Sequence, residues 1–127
     1  LEGAGFLTGE DPVRGYDHGV FVPLKVAFPE ADIPTVQLSL RADLDPQAHL
    51  AAGRALAPLR DEGVLIIGSG NTYHNMRVMM QSMRGGARGP VAGGDFDRWL
   101  TDAVTQDDPA RRDAMLAAWH QAPGARE

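Results

Sequence analysis

Two histidines beside glycine-containing turns are the side chains best suited to chemistry in this sequence. His74 follows the stretch Gly68-Ser69-Gly70-Asn71-Thr72-Tyr73, and His18 lies within Tyr16-Asp17-His18-Gly19. Imidazole titrates near neutral pH, so it can bind a metal ion or transfer a proton. The structural alternatives are a turn histidine bonded to a backbone carbonyl for His74, and an exposed place in a helix first turn for His18. The pair predicts a site but does not specify a reaction.

The polar residues near the histidines also have two interpretations. Asn71 and Asn75 either orient the imidazole and bind a substrate oxygen, or they are turn residues that tolerate left-handed backbone angles. Tyr16 and Tyr73 either hydrogen-bond a polar ligand or pack at their turns. We take Asn75 and Tyr73 as candidate substrate-binding residues.

Other patterns for chemistry are weak or missing. Gly68-x-Gly70 lacks the third glycine and the Gly-Lys-Ser/Thr ending of phosphate-binding loops. The sequence contains no His-Glu-x-x-His helix, no Gly-x-Ser-x-Gly turn and no cysteine. The absence of cysteine excludes a cysteine nucleophile and a thiolate metal site. His49 lies beside the apolar stripe of a predicted helix, where a half-buried structural histidine is the favoured interpretation.

The overall composition predicts one globular domain over residues 1–127. Apolar residues make up 43% of the chain and charged residues 23%, and the net charge is −5. The negative charge argues against a nucleic-acid partner, and no apolar run approaches a membrane span, so we expect no membrane association. The absence of cysteine fits a reducing compartment, and we expect a cytoplasmic protein.

The elements that must position the histidines follow from capping residues and periodicity. Val20 to Phe28 predicts a short buried helix with Pro23 in its first turn. Thr35 to Leu40 predicts a strand, Asp45-Pro46 begins a helix that ends at Gly63, and Val64 to Ile67 predicts a buried strand. Strand, helix and strand in this order favour a parallel α/β unit, whose ligand-binding groups follow the strand ends.

Three more helices are predicted in the remaining sequence. They cover Asn75 to Met83, Asp95 to Thr105 and the residues after Asp108-Pro109. The second of them has an apolar face at helical spacing, formed by Phe96, Trp99, Leu100 and Ala103.

An ordered series of motifs resembles the class III extradiol ring-cleavage dioxygenases, and within them the 4,5-DOPA extradiol dioxygenase-like family. The series consists of Tyr16-Asp17-His18-Gly19, Phe28 to Pro34, Gln37-Leu38-Ser39, Ala55 to Gly70 and His74-Asn75. The resemblance implies an α/β fold, a three-layer sandwich with a mixed, partly parallel central sheet and helices on both faces. This chain then corresponds to an incomplete, C-terminal-side portion of the catalytic domain.

The resemblance also implies a chemistry. Members of the family cleave a catechol-type ring with O₂ at a non-haem Fe(II) ion, and zinc occupies the site in some members. His74 matches the family histidine beside the metal, described as a metal ligand or as the acid/base. We favour acid/base when iron and catechol are both bound. His18 matches the histidine that hydrogen-bonds the substrate or oxygen.

The chain departs from the family pattern in its length and its metal ligands. The family's other metal-binding histidines lie in an N-terminal half that this chain lacks, and in a His-Pro-x-x-Glu-His stretch expected just beyond Glu127. His18 and His74 alone do not complete a facial triad. We therefore expect this portion to be inactive without a second copy or a complementing chain. The alternative function is a non-catalytic metal- or partner-binding module with the same fold.

Overall fold

A computed structural model of the chain describes residues 1–70, 72, 74–84 and 93–126. The structure divides into two compact units, Leu1–Gly70 and Asn71–Glu127. Helices supply all the regular secondary structure of the described residues. The prediction of one domain over residues 1–127 stays a prediction.

Helix α1 (His18–Ala27) belongs to the first unit and begins where a capping carboxylate precedes it. Asp17 Oδ1 accepts a hydrogen bond from Val20 N at 3.2 Å, which satisfies one of the free N–H groups of the first turn. The predicted helix is therefore confirmed, although it starts two residues earlier than Val20. Its predicted burial was wrong, because none of its residues is buried. Because of that earlier start, Pro23 lies inside the helix, and its predicted place in the first turn was wrong.

Helix α2 (Pro46–Leu56) confirms the prediction made from Asp45-Pro46. Asp45 Oδ1 accepts from Gln47 N at 3.0 Å, and Pro46 occupies the first helical position, where a missing N–H costs nothing. The α-helix gives way to a 3₁₀ helix (Ala57–Glu62), which begins beside Pro58. Gly63 then ends the segment with φ of +82°, a conformation that glycine adopts without steric cost.

The two segments predicted as strands, residues 35–40 and 64–67, lie outside the helices, and no strand is assigned in the described parts of the chain. Their apolar side chains are exposed, with exposed fractions between 46% and 71% over residues 64–67. A strand is defined by hydrogen bonds to a partner. The two strands, and the sandwich they would belong to, stay predictions.

The second unit contains helices α3 (Met76–Met83), α4 (Gly94–Val104) and α5 (Pro109–Ala117). Asp108 caps α5 by accepting from Ala110 N at 3.0 Å, as its sequence predicts. Helices α4 and α5 pack together, and Ala103 on the predicted apolar face of α4 is fully buried. None of the helices in the described residues is both long enough and apolar enough to cross a membrane.

The cap of α2 yields a first testable prediction. Asp45→Ala removes the acceptor for Gln47 N and should lower the free energy of unfolding by about 1 kcal/mol, whereas Asp45→Asn should change it little. Urea denaturation followed by circular dichroism measures the difference. Asp61→Ala, an exposed aspartate at the end of the 3₁₀ helix, is the matched control. Equal effects of the two alanine variants would contradict the capping role.

Candidate functional site

His18 is the first residue of α1, and its imidazole is exposed. The ring lies against Phe21 one turn later, with 5.0 Å between the ring centroids. Among the described residues, neither ring nitrogen of His18 has a hydrogen-bond partner. No described residue therefore occupies either ring nitrogen, while the ring itself contacts an aromatic neighbour.

The residue before His18 is fixed by a reciprocal pair of hydrogen bonds. Gln37 Nε2 donates to Asp17 Oδ2 at 2.6 Å, and Asp17 N donates to Gln37 Oε1 at 3.3 Å. The backbone N–H faces the amide oxygen and the carboxylate faces the amide nitrogen, so only one orientation of the Gln37 amide satisfies both bonds. Asp17 therefore joins the start of α1 to a segment twenty residues further along the chain.

The residue after His18 is held from a third segment. Ser69 Oγ donates a hydrogen bond to the backbone oxygen of Gly19. In a regular α-helix this oxygen would accept from the N–H of residue 23, but Pro23 has no N–H. The hydroxyl of Ser69 thus satisfies a carbonyl that the proline leaves without a helical donor.

Tyr16 adds another bond to the same region. Its hydroxyl donates to the backbone oxygen of Thr35, so of the two interpretations of Tyr16 the structure supports a structural contact. We call Tyr16, Asp17, Gln37 and Ser69 the α1-start cluster. Its hydrogen bonds hold the backbone on both sides of His18, and none of them involves the imidazole itself.

His49 shows the opposite environment. Its Nε2 accepts from Arg41 N at 3.2 Å, and its Nδ1 lies 2.6 Å from the backbone oxygen of Asp45. The two contacts require a neutral ring with the proton on Nδ1, because Nε2 must accept and Nδ1 must donate. The half-buried structural histidine expected from the sequence is confirmed, and His49 has no nitrogen left for a ligand.

The charged pair beside His49 has a defined electrostatic effect. Arg41 Nε donates to Asp43 Oδ1 at 3.1 Å, and the second carboxylate oxygen accepts from Arg41 Nη2. The hydrogen bonds from Arg41, with a further one from the backbone N–H of Asp45, lower the pKa of the Asp43 carboxyl to about 2. The same pairing raises the pKa of Arg41. This pair stabilises the turn that leads into α2.

His74 lies in the second unit, two residues before α3, and it is exposed. Asn75 Oδ1 accepts from Val78 N at 3.1 Å, so this oxygen caps α3. Tyr73 and Asn71 lie outside the described residues. Because His18 and His74 belong to different units, their convergence on one pocket stays a prediction.

The metal-binding side chains of the described residues can be compared with the ligand set that a non-haem Fe(II) ion requires. A non-haem Fe(II) site typically combines two histidines with one carboxylate. No group of three or more His, Cys, Asp or Glu side chains that could hold a metal occurs among the described residues. The described part of the chain therefore does not fit a complete metal site by itself, and His74 is its candidate metal ligand.

Gln37 and Ser69 were not identified as site residues from the sequence. The signal for Gln37 is a polar residue flanked by apolar Val36 and Leu38 in a predicted strand. The signal for Ser69 is a hydroxyl between two glycines after an apolar run. Their partners lie 20 and 50 residues away in the chain, and local patterns do not report pairings at such separations.

Comparison with known proteins defines the class of the chain. Residues 2–123 match the family described as catalytic LigB subunit of aromatic ring-opening dioxygenase. The class is thus that of aromatic ring-opening dioxygenases, and the resemblance seen in the sequence is confirmed. The chain belongs to the LigB family. No solved structure matches it significantly.

Several curated relatives have high identity to the chain. A protein named dioxygenase tasH from Hapsidospora irregularis is 46% identical over 91% of this chain and 37% of its own length. The 4,5-DOPA dioxygenase extradiol of Beta vulgaris is 48% identical over 83% of this chain and 38% of its own length. A protein of the same name from Escherichia coli is 46% identical over 58% of this chain. The chain thus spans somewhat more than a third of the length of the first two relatives.

The Arg41–Asp43 pair yields a testable pH dependence. Because the folded pKa of Asp43 lies near 2, below its ordinary value of 3.8, the pair stabilises the fold fully above about pH 4. That contribution is lost as the pH falls from about 4 through 2. Arg41→Gln should return the carboxyl pKa towards 3.8, as measured by carbon-13 NMR titration. An unchanged titration in the variant would show that Arg41 does not cause the shift.

Proposed function

We propose that the chain forms part of the catalytic domain of an extradiol dioxygenase that cleaves a catechol-type ring with O₂ at a non-haem Fe(II) ion. The observation that carries the proposal is the 48% identity to a 4,5-DOPA dioxygenase extradiol over 83% of this chain. DOPA contains a catechol ring, which supports a catechol-type small molecule as the substrate. Zinc is the alternative metal, because imidazole suits both ions.

His18 is proposed to act on the substrate or oxygen. The contrast with His49 supports this role, since both nitrogens of His49 are engaged while those of His18 have no partner among the described residues. An imidazole with a free nitrogen can accept a proton from a catechol hydroxyl or donate one to an oxygen. Its position at the start of α1 follows from the α1-start cluster, so the ring is presented from a fixed backbone.

His74 is proposed as the second functional imidazole, either as the acid/base or as a metal ligand. Asn75 and Tyr73 are proposed to bind the substrate. The Nδ2 group of Asn75 suits a catechol oxygen, because the Oδ1 atom already caps α3.

The remaining metal ligands are proposed to come from polypeptide that corresponds to the rest of the relatives' length. A facial triad needs at least one donor besides His18 and His74. A complementing chain or a second copy of this chain would serve the same purpose. The activity of the whole protein therefore depends on residues outside those described here.

The fold proposed for the domain is the three-layer α/β sandwich with a mixed central sheet. Residues 35–40 and 64–67 would be strands of that sheet, which is supported by four successive apolar side chains at 64–67. These side chains are exposed in the first unit, with exposed fractions of 46% to 71%. Neighbouring strands and helices would cover this surface, which is too apolar to be stable in water.

The role of His74 can be tested in the protein at its full natural length, loaded with Fe(II). We expect His74→Ala to reduce catechol cleavage by about 10²- to 10⁴-fold, the usual contribution of a general acid or base, while metal content is unchanged. Absorbance of the yellow ring-opened product measures turnover, and elemental analysis measures the metal. His120→Ala, an exposed histidine with no proposed role, should retain full activity.

Two other results would change the assignment. Loss of the metal in His74→Ala would make His74 a ligand instead of the acid/base. A wild-type protein that retains iron but cleaves none of several catechols in air would contradict the dioxygenase proposal. It would then be a non-catalytic metal- or partner-binding module of the same family.

A further inference from the structure

We propose that Gln37 is a positioning residue for His18, acting through Asp17. Its amide fixes the backbone immediately before the first residue of α1, and thereby fixes the direction in which the imidazole projects. The inference rests on the proposed role of His18 at the substrate. It adds a residue whose side chain touches no reacting atom.

The geometry separates this role from ordinary helix capping. Asp17 Oδ1 accepts from Val20 N, and this local bond is sufficient to cap α1. Gln37 bonds the other carboxylate oxygen and the backbone N–H of the same residue. The Gln37 bonds therefore add nothing that the helix needs in order to begin. They fix where the start of the helix lies relative to residues 35–37.

The bonds on the two sides of His18 act together. Gln37 holds the N–H of the preceding residue, and Ser69 holds the carbonyl of Gly19, the following residue. Together with the helical hydrogen bond from Phe21 N to the backbone oxygen of Asp17, these bonds restrict the backbone on both sides of His18. Contact with Phe21 restricts the side-chain torsions of His18 as well. A general acid or base must lie within hydrogen-bond reach of its proton, so small displacements reduce the rate strongly.

The hydrogen bond between Gln37 and Asp17 can be tested by swapping which of the two residues supplies the donor and which the acceptor. In Gln37→Glu a carboxylate faces the carboxylate of Asp17, so a strong hydrogen bond is replaced by repulsion. In Asp17→Asn an amide NH₂ faces the NH₂ of Gln37, which also removes the bond. The double variant Asp17→Asn/Gln37→Glu restores a donor opposite an acceptor, and asparagine caps a helix as well as aspartate does.

The enzymatic measurement uses the protein at its full natural length with Fe(II) and a catechol. Each single variant should lose about tenfold in kcat with KM changed less than about twofold, and the double variant should recover most of kcat. Metal content should be constant throughout. Gln47→Glu, the same substitution at an exposed site on α2, should leave kcat unchanged.

A second measurement does not depend on catalysis. Hydrogen exchange by NMR should show the Asp17 amide protected in the wild type, exchanging about tenfold faster in Gln37→Glu and protected again in the double variant. The imidazole signals of His18 should shift in the single variants and return in the double variant. The Gln47→Glu control should reproduce the wild-type exchange and imidazole signals.

The outcomes separate this inference from the proposed function. Unchanged Asp17 exchange and His18 signals in Gln37→Glu would overturn the positioning role, whatever the activity. Altered exchange with unchanged kcat in an active enzyme would overturn it too, because Gln37 would then be only structural. A third outcome is a wild type that cleaves no catechol, with Asp17 exchange and His18 signals that change in the single variants and recover in the double variant. The proposed function then fails, while the positioning of His18 is supported.

Discussion

The carboxylate of Asp17 makes one hydrogen bond within its own segment and one to a distant segment, and the candidate site depends on this combination. One oxygen accepts from Val20 N and determines that α1 begins at residue 18. The other accepts from Gln37 and determines where that helix start lies. An exposed hydrogen bond contributes only about 1 kcal/mol to stability. The bond from Gln37 affects the site because it acts on Asp17, the residue adjacent to His18.

The two histidines of the first unit show why residue type alone does not identify a functional group. His49 lies on a helix with the backbone oxygen of Asp45 one turn earlier and the backbone N–H of Arg41 within reach, so both of its ring nitrogens are engaged. His18 lies at the first position of a helix, and its exposed ring contacts Phe21. The helix N-terminus is instead capped by Asp17, which leaves the imidazole available for chemistry.

The sequence predicted the elements that depend on neighbours in the chain. Asp45-Pro46 and Asp108-Pro109 placed the starts of α2 and α5, because capping and the fixed angle of proline act within one turn. It misplaced Pro23, since the cap at Asp17 began α1 earlier than the apolar run indicated. The pairing of Gln37 with Asp17 was beyond sequence reasoning, because no local pattern encodes a contact across twenty residues.

The untested strands bear directly on the precision of the site. Gln37 belongs to one predicted strand, and Ser69 lies two residues after the other, so both attachments of the α1 start are made from these segments. A bond can hold His18 no more rigidly than the segment from which it is made. Segments with exposed apolar side chains and no ladder partners are free to move, whereas strands inside a covered sheet are fixed. Catalytic groups need positions accurate to about 0.5 Å. In the enzyme that we propose, polypeptide completing the proposed sheet would therefore serve catalysis twice, by supplying metal ligands and by stiffening the segments that position His18.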